Sequence, residues 1–143
     1  MENKKLIGMK YINLKGKKYQ LAEGQMVFIP ELAALPNITH SPFVRIYGGW
    51  LTILAGYMWD GATGVPNNPD NMRASLFHDA LYELMQLVLL DRKYRDVADH
   101  LLRSICLEDG MDKFWADQFY NFVHALGESH ALTPKHSNEI IEI

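Results

Sequence analysis

A segment of eleven residues, from Asp60 to Asp70, divides the chain into two halves with different sequence patterns. Eight of the eleven are glycine, proline, asparagine or aspartate, which favour turns and interrupt helices and strands. Before the segment, short runs of β-forming residues alternate with turn residues, and after it apolar residues recur every three or four positions. This division predicts an α+β fold in which N-terminal antiparallel β-strands and a hairpin precede a bundle of three helices.

The first half is expected to contain several short strands. Glycine-containing turns separate the first three, and Gly48-Gly49 suits the positive φ angles of a tight hairpin turn. The expected strands cover 5–14, 19–21, 26–29, 43–47 and 50–54. Residues 31–41, bordered and interrupted by prolines, are expected to form an irregular connection or a short turn of helix. Residues 56–59 either extend the hairpin or form another strand.

The second half is expected to form three amphipathic helices, over 72–89, 95–107 and 112–126. Asp70 or Asn71 is expected to cap the first, and Gly110 and Gly127 to end the second and the third. With 143 residues, the chain has the length of one domain. Along 1–143 this domain is expected to be mainly β at 1–59, a loop at 60–71, helical at 72–127 and a tail at 128–143.

Composition narrows the class of protein further. Hydrophobic residues make up 48% of the chain, which excludes global disorder, and no run of about 18 uncharged apolar residues could form a transmembrane segment. The N-terminal residues lead into no long apolar stretch, so secretion is not expected. Cys106 is the only cysteine and is expected to pack as a small apolar side chain in a reducing compartment.

The net charge of −3 is the sum of two unequal parts. Residues 1–18 carry six lysines and one glutamate, hence +5, while the remainder of the chain carries −8. Such a basic arm suits contact with nucleic acid, membrane phosphates or an acidic subunit, or it keeps an exposed strand soluble. Because the arm lacks arginine and an aromatic stacking ladder, no nucleic-acid partner is expected.

Polar residues with catalytic potential lie in the loop and on the first two expected helices. His78 and Tyr82 are four positions apart on one helix face, with Asp79 about 100° round from His78. If the second helix packs antiparallel to the first, Asp99 approaches His78 or Asp79, and Asp60 arrives from the loop. His78, Asp99 and Tyr82 are thus candidate catalytic residues, with His78 as a general base for water. Asp60 and Asp79 are candidate ligands of a divalent cation such as calcium or magnesium.

The same cluster also fits a purely structural role. A partly buried His78 that donates to Asp99, with Tyr82 completing the network, fixes helix packing without catalysis. Arginines nearby would neutralise the three aspartates and leave no charge for a cation. The expected structural polar network consists of Arg73, Thr63 and Arg95. His124 is expected to be a packed or rim residue, and the scattered histidines do not indicate zinc.

Four motifs in succession carry a resemblance to a known family. They are Tyr57–Thr63, Arg73–Tyr82, Arg95–Asp99 and Tyr120–Gly127. In this order they resemble the phage and prophage family known as domain of unknown function 1353, with Thr63 where the usual Asp-Gly-Ala-Ser motif has serine. The resemblance covers about the central half of the chain and implies origin in a tailed phage or prophage, without an established activity. It also implies a location in the host cytoplasm or the virion, with other phage proteins or a second copy as partners.

A local similarity concerns the secreted calcium-dependent phospholipases, which place a glycine-rich metal loop before a helix with His-Asp-x-Cys-Tyr. The analogy assigns the cation loop to Gly61 and Gly64, the cation to Asp79, water activation to His78 and the orientation of that histidine to Asp99. Leu81 stands where those enzymes have a cysteine, and the disulfides on which their fold depends are missing here.

Two functions from different classes are open at the level of sequence. One is a virion component of the tail or baseplate, or an accessory phage protein, in which the His/Asp site holds the helices together. The other is a metal-assisted hydrolase that acts on cell-envelope material with His78 as the general base. The hydrolase hypothesis requires a solvent-reachable cleft at His78, and the virion hypothesis requires a large contact surface. Whether the chain is an enzyme, and with which cofactor, is left open.

Overall fold

A computed structural model of the chain describes residues 9–14, 18–62 and 66–132, with side chains up to 127. Within these residues six strands precede three helices, so the predicted α+β fold is confirmed. The strands are β1 (Tyr11–Leu14), β2 (Lys18–Leu21), β3 (Gln25–Phe28), β4 (Val44–Tyr47), β5 (Trp50–Ile53) and β6 (Met58–Trp59). The helices are α1 (Met72–Gln86), α2 (Arg95–Glu108) and α3 (Lys113–Leu132). The first part of the expected strand 5–14, most of the basic arm, Thr63, Gly64 and residues 133–143 lie outside the described residues.

One sheet joins the first two strands to the last. β2 pairs antiparallel with both β1 and β6, and Tyr19 lies opposite Trp59. Gly56, with a φ of 102°, turns the chain between β5 and β6, and its N–H donates to the carbonyl of Leu21. This segment therefore forms a strand of its own and does not extend the hairpin. The indole N–H of Trp59 donates to the hydroxyl of Ser75 at 3.0 Å, which ties this sheet to α1.

The other sheet contains the predicted hairpin. β5 pairs antiparallel with β3 and β4, and Gly48 and Gly49 form the two-residue turn with φ angles of 55° and 88°. Two positive φ angles in succession are unfavourable for residues with a Cβ atom, which explains the two glycines and confirms the predicted hairpin. The inner face of this sheet is buried through Val44, Ile46, Leu51 and Ile53. A short 3₁₀ helix, Pro30–Leu32, begins the proline-rich connection.

Helix α1 passes through the interior of the molecule. Twelve of its fifteen residues are buried, so polar side chains on it must find partners inside the protein. Asn71 precedes the helix as predicted, but its side chain does not cap it. Instead its amide accepts from the N–H of Asn68 and donates to the carbonyl of Pro66, which holds the preceding loop in place.

Two helix ends differ from the predictions. α1 ends at Gln86, three residues early, because the chain turns at Val88 with a φ of 61° and the next two N–H groups donate to the carbonyl of Leu84. α3 does not end at Gly127, so the first part of the expected tail is helical. A Cβ atom at Gly127 would collide with the hydroxyl of Tyr82. Close packing between α1 and α3, and not helix termination, therefore accounts for this glycine.

Helix α2 packs against α1 and α3 and runs antiparallel to both. Arg73 near the start of α1 contacts Asp109 at the end of α2, and Arg103 of α2 contacts Asp117 of α3. Cys106 is buried, and burial raises the pKa of its thiol to about 12, as expected of a packed and unreactive cysteine. In the part of the chain that the structure describes, every helix is too short or too polar to cross a membrane.

Candidate functional site

A buried aspartate is the centre of the candidate site. Asp99 lies on the apolar stripe of α2, among Ala98, Leu102 and Cys106, and is fully buried. An ionised carboxylate in such surroundings is stable only if hydrogen bonds and opposite charges compensate for the loss of water. All three helices supply groups that do so.

Three side chains donate hydrogen bonds to Asp99. His78 Nε2 and the Tyr82 hydroxyl, both on α1, contact Oδ1 at 2.7 and 2.8 Å. His124 Nδ1, on α3, contacts Oδ2 at 2.9 Å. Arg95, one turn earlier on α2, places Nη1 3.6 Å from Oδ2 and donates from it to the carbonyl of His124. The antiparallel packing thus brings Asp99 to His78, as the sequence predicted.

These hydrogen bonds decide the charge of the site. Burial by itself would raise the pKa of the Asp99 carboxyl group, but the donors His78 and Tyr82 outweigh burial and lower this pKa below its ordinary value. Asp99 is therefore ionised at neutral pH and accepts hydrogen bonds only. Nε2 of His78 then carries the proton, which leaves Nδ1 as the nitrogen of the neutral ring that accepts one. Burial, and then the contact with Asp99, raise the pKa of the Tyr82 hydroxyl far above its ordinary value, so this group stays a donor.

A cavity of about 270 Å³ opens at His78. It is bordered by β6, the loop that follows, α1 and α3, and its lining includes His78, Asp79, Glu83, Asp60, Met58 and Phe122. The volume is at the low end for small-molecule sites, so the cavity accommodates a small substrate or the reacting part of a larger one. The cleft that the hydrolase hypothesis requires is therefore present.

Two cavity residues were missed by the sequence interpretation. Glu83 follows Asp79 by one helical turn on α1, so the same i, i+4 spacing that singled out Tyr82 could have found it. The hydroxyl of Tyr57 donates to Glu83 at 3.3 Å. Burial, and then the charges of Glu83 and Asp79, raise the pKa of Tyr57 far above its ordinary value, so its hydroxyl remains protonated.

The two expected cation ligands line the same cavity. Asp60 is 72% exposed and pairs with Lys18 of β2 at 2.8 Å, while Asp79 follows His78 directly on α1. Among the described residues, no group of three or more His, Cys, Asp or Glu side chains is arranged to hold a metal ion. Gly61 has a φ of 88°, and a Cβ atom there would lie 2.6 Å from Asn67 Oδ1, which accepts from the N–H of Ala62. The contacts of the Asn67 side-chain amide thus hold the conformation of the loop at Gly61 and Ala62.

The expected polar network is divided between two places. Arg95 belongs to the site through Asp99 and the carbonyl of His124. Arg73 does not, because it contacts Asp109 and Glu108 near the other end of α2. Neutralisation of the cavity aspartates by Arg73 is therefore not observed, and Thr63 lies outside the described residues.

His124 contributes to the site, although the sequence suggested only a packed or rim position. Two signals could have identified it. It lies within the Tyr120–Gly127 motif, and it follows Tyr120 by four positions, just as Tyr82 follows His78. The rings of Tyr120 and His124 are stacked with their centroids 5.2 Å apart. What the sequence lacked was the register of α3 against α2, which places His124 beside Asp99.

Comparisons with known proteins identify no relative of the chain. A scan against models of protein families, a search of curated proteins and a search of solved structures each give no match. The resemblance to the phage and prophage family therefore stays a prediction. The functional inference depends on the side chains around Asp99 and on the cavity beside them.

Proposed function

We propose that the chain is a hydrolase in which His78 acts as the general base. The observation that carries this proposal is the hydrogen bond between His78 and the buried, ionised Asp99 at the edge of an open cavity. With Nε2 held by Asp99, Nδ1 is the nitrogen that takes a proton from water. A histidine oriented by a carboxylate is a recurrent device for activating a water molecule or a hydroxyl group.

The chemistry is simplest for a carboxylic ester. Nδ1 of His78 removes a proton from water while the water oxygen forms a bond to the carbonyl carbon. The imidazolium that results is stabilised by the negative charge of Asp99. When the tetrahedral intermediate collapses, the bond to the alcohol oxygen breaks and His78 returns the proton to that oxygen. The products are the carboxylic acid and the alcohol, and the enzyme is restored.

The two carboxylates expected to hold calcium or magnesium, Asp79 and Asp60, both line the cavity, although no three ligands among the described residues are arranged for a metal ion. The steps above do not require a cation; one held there would polarise the carbonyl group of the substrate. Lys18 pairs with Asp60, so a cation would compete with its ammonium group for this carboxylate. Cell-envelope material is the predicted substrate class.

Hydrolysis of 4-nitrophenyl acetate, a small ester, tests the proposal. We expect the purified chain to release 4-nitrophenol above the uncatalysed rate, and we expect H78Q to lower kcat about 100-fold or more because the base is lost. Parallel assays with calcium, with magnesium and with a chelator test the cation. A rate that each of these three conditions leaves unchanged would exclude the metal-assisted form of the mechanism.

His100 provides the matched control. It lies on α2, is exposed, and contacts Asp96 and Tyr120 but neither Asp99 nor the cavity. The exchange H100Q removes an identical ring and should leave kcat at the wild-type value. Equal loss in both variants, or no loss in H78Q with an intact fold by circular dichroism, would contradict the role of His78.

A second candidate function has its own observation. On the outer face of the second sheet, Phe28, Trp50 and Tyr47 lie side by side across β3, β5 and β4 and are 43%, 45% and 45% exposed. Exposed neighbouring aromatic side chains are typical of protein interaction sites. This aromatic row supports a role as a structural component of a phage particle, in which it contacts a second copy or another phage protein.

Self-association tests this second candidate. Sedimentation velocity at increasing concentration should show oligomers of the wild-type chain, and W50K should shift the population to monomer because it puts a charge at the centre of the row. T52K, on the same outer face of β5, is the matched control. A wild-type chain that stays monomeric and is missing from purified virions would contradict the structural role.

A further inference from the structure

The second histidine of the site has a different position from the first. His124 does not line the cavity, and its side chain is 37% exposed, against 10% for His78. It therefore has no direct access to a substrate in the cavity. The side chain of His124 is linked to His78, which lines the cavity, through the carboxylate of Asp99, on which both histidines converge.

The two oxygens of Asp99 are not equally supported. Oδ1 accepts from both His78 and Tyr82, whereas among the described side chains Oδ2 accepts from His124 alone. Arg95 is 3.6 Å from Oδ2, beyond hydrogen-bond distance, and its Nη1 donates to the carbonyl of His124. Without the His124 donor, none of the hydrogen bonds described at Oδ2 opposes rotation of the carboxylate about its bond to Cβ.

We propose that His124 is a positioning residue for His78 and acts through Asp99. By donating from Nδ1 to Oδ2, it fixes the plane of the carboxylate, so that Oδ1 stays in line with Nε2 of His78. This alignment holds the His78 ring with its proton on Nε2, so that Nδ1 is the nitrogen that acts as the base. The inference rests on the proposed hydrolase function, which it extends to a residue outside the cavity.

The stacked contact with Tyr120 supports this assignment. The two rings are nearly parallel, at 15°, so the His124 ring is held from the side as well as by its hydrogen bond. A hydrogen-bond donor orients its acceptor well only if the donor is itself held in place, as the His124 ring is. A histidine that only fastened α3 to α2 would affect stability, but not the ring of His78.

Three substitutions at one position separate these roles. H124F keeps a ring for Tyr120 but removes the donor, so Asp99 loses its support at Oδ2. H124N carries an amide nitrogen on Cγ, where the histidine carries Nδ1, and can still donate. H124Q places its amide one carbon further from the backbone and misaligns the donor. H100F is the control, since it makes the same exchange on another histidine that contacts Tyr120.

The first readout does not depend on activity. In the wild-type chain, the Nε2 proton of His78 is deshielded by its hydrogen bond to the carboxylate and protected by burial from exchange with water, so it should give a far-downfield ring N–H resonance in the proton NMR spectrum, identified by its loss in H78Q. We expect this resonance to be lost in H124F and H124Q and retained in H124N and H100F. Retention in H124F and H124Q would overturn the proposal even if both variants were less stable.

The second readout is hydrolysis of 4-nitrophenyl acetate. We expect H124F to lower kcat about 10-fold to 100-fold with little change in KM, because misalignment affects the reacting geometry and not the binding of the probe. H124N should restore most of the loss. Unchanged kcat in H124F would overturn the proposal for an active enzyme.

The outcomes distinguish this inference from the function on which it rests. If the wild-type chain does not hydrolyse the ester but H124F still loses the resonance, the hydrolase proposal fails while the positioning of His78 by His124 stands. If the wild-type chain is active and the resonance survives in H124F, the hydrolase proposal stands and the positioning role fails. If H124F does not fold, comparison of H124N with H124Q tests the positioning role in the same way, because only H124N keeps the donor in place.

Discussion

The two sides of Asp99 carry the same pair of side chains in different surroundings. On α1, His78 precedes Tyr82 by four residues, and on α3 Tyr120 precedes His124 by four. Both pairs are stacked, with ring centroids 4.4 and 5.2 Å apart. On the α1 side both rings are buried and both donate to Asp99. On the α3 side only the histidine does, because the Tyr120 hydroxyl lies 3.4 Å from the exposed Asp96.

Because the two pairs have the same residue types, their different contributions to the site follow from their different burial. A donor that reaches a buried carboxylate replaces water that the carboxylate has lost, so its removal leaves an unpaired charge. A donor that reaches an exposed carboxylate competes with water and contributes little. The α1 side is therefore expected to dominate both stability and chemistry, and the α3 side to tune the orientation of the shared carboxylate.

The largest effect is expected from the shared group itself. D99A leaves three buried or partly buried donors without an acceptor, and it should lower the free energy of unfolding by about 3–5 kcal/mol, measured by urea denaturation. The control is D96A, which removes an exposed carboxylate about one turn earlier on the same helix. This variant should change the free energy of unfolding by less than about 0.5 kcal/mol. Equal effects would mean that the burial of Asp99 does not matter and would remove the basis of the comparison.

The next effect concerns the contact of α3 with Tyr82 on the α1 side. G127A introduces a Cβ atom against the Tyr82 hydroxyl, so it should destabilise the fold by about 1–3 kcal/mol although alanine favours helices. In a Y82F background this hydroxyl is gone, and the cost of G127A should fall. A double-mutant cycle by urea denaturation measures the difference. A stabilising G127A in the wild-type background would show that α3 does not pack on Tyr82 as described.

A matched pair of tyrosines compares the two sides directly. Y82F removes a hydrogen bond of 2.8 Å to the buried carboxylate and should cost about 1.5–3 kcal/mol, as for other bonds to charged groups. Y120F removes a contact of 3.4 Å to the exposed carboxylate of Asp96 and should cost less than about 0.5 kcal/mol. Thermal unfolding of both variants provides the measurement. Similar losses in the two would show that burial does not separate the two sides.

The features that follow local spacing were predictable from the sequence. Helical periodicity placed His78 and Tyr82 on one face, and the Gly48-Gly49 turn fixed the hairpin. The approach of Asp99 to His78 followed from assuming that neighbouring helices pack antiparallel. These predictions needed only the period of a helix, the φ preference of glycine and a short connection.

The features that depend on how distant segments meet were not predictable. The partner of Asp60 is Lys18, more than forty residues away in β2, and the partner of Arg73 lies at the end of α2. Gly127 follows the sequence rule for a helix end, but the space needed by Tyr82 on another helix gives it a different role. Likewise, His124 joins the site through the register of α3 against α2. Non-local packing outweighs local preference at each of these positions.

Acid provides the last and smallest test, which concerns the carboxylate that both sides share. The pKa of Asp99 is lowered in the folded chain, so its ionised form stabilises the fold above the ordinary aspartate value of 3.8, and this stability is lost as the pH falls through the folded-state pKa. Because that pKa is already low, only the beginning of the loss falls between about pH 3 and 5. Urea denaturation over this range should show a shallower fall in stability for D99N than for the wild-type chain. D117N is the control, because Lys113 and Arg103 lower the pKa of Asp117, whose side chain is partly exposed, so that pairing there contributes less to stability than at the buried Asp99. If D99N declines as steeply as the wild-type chain, the acid sensitivity arises outside the site, and the charge of Asp99 is not what stabilises the contacts on its two sides.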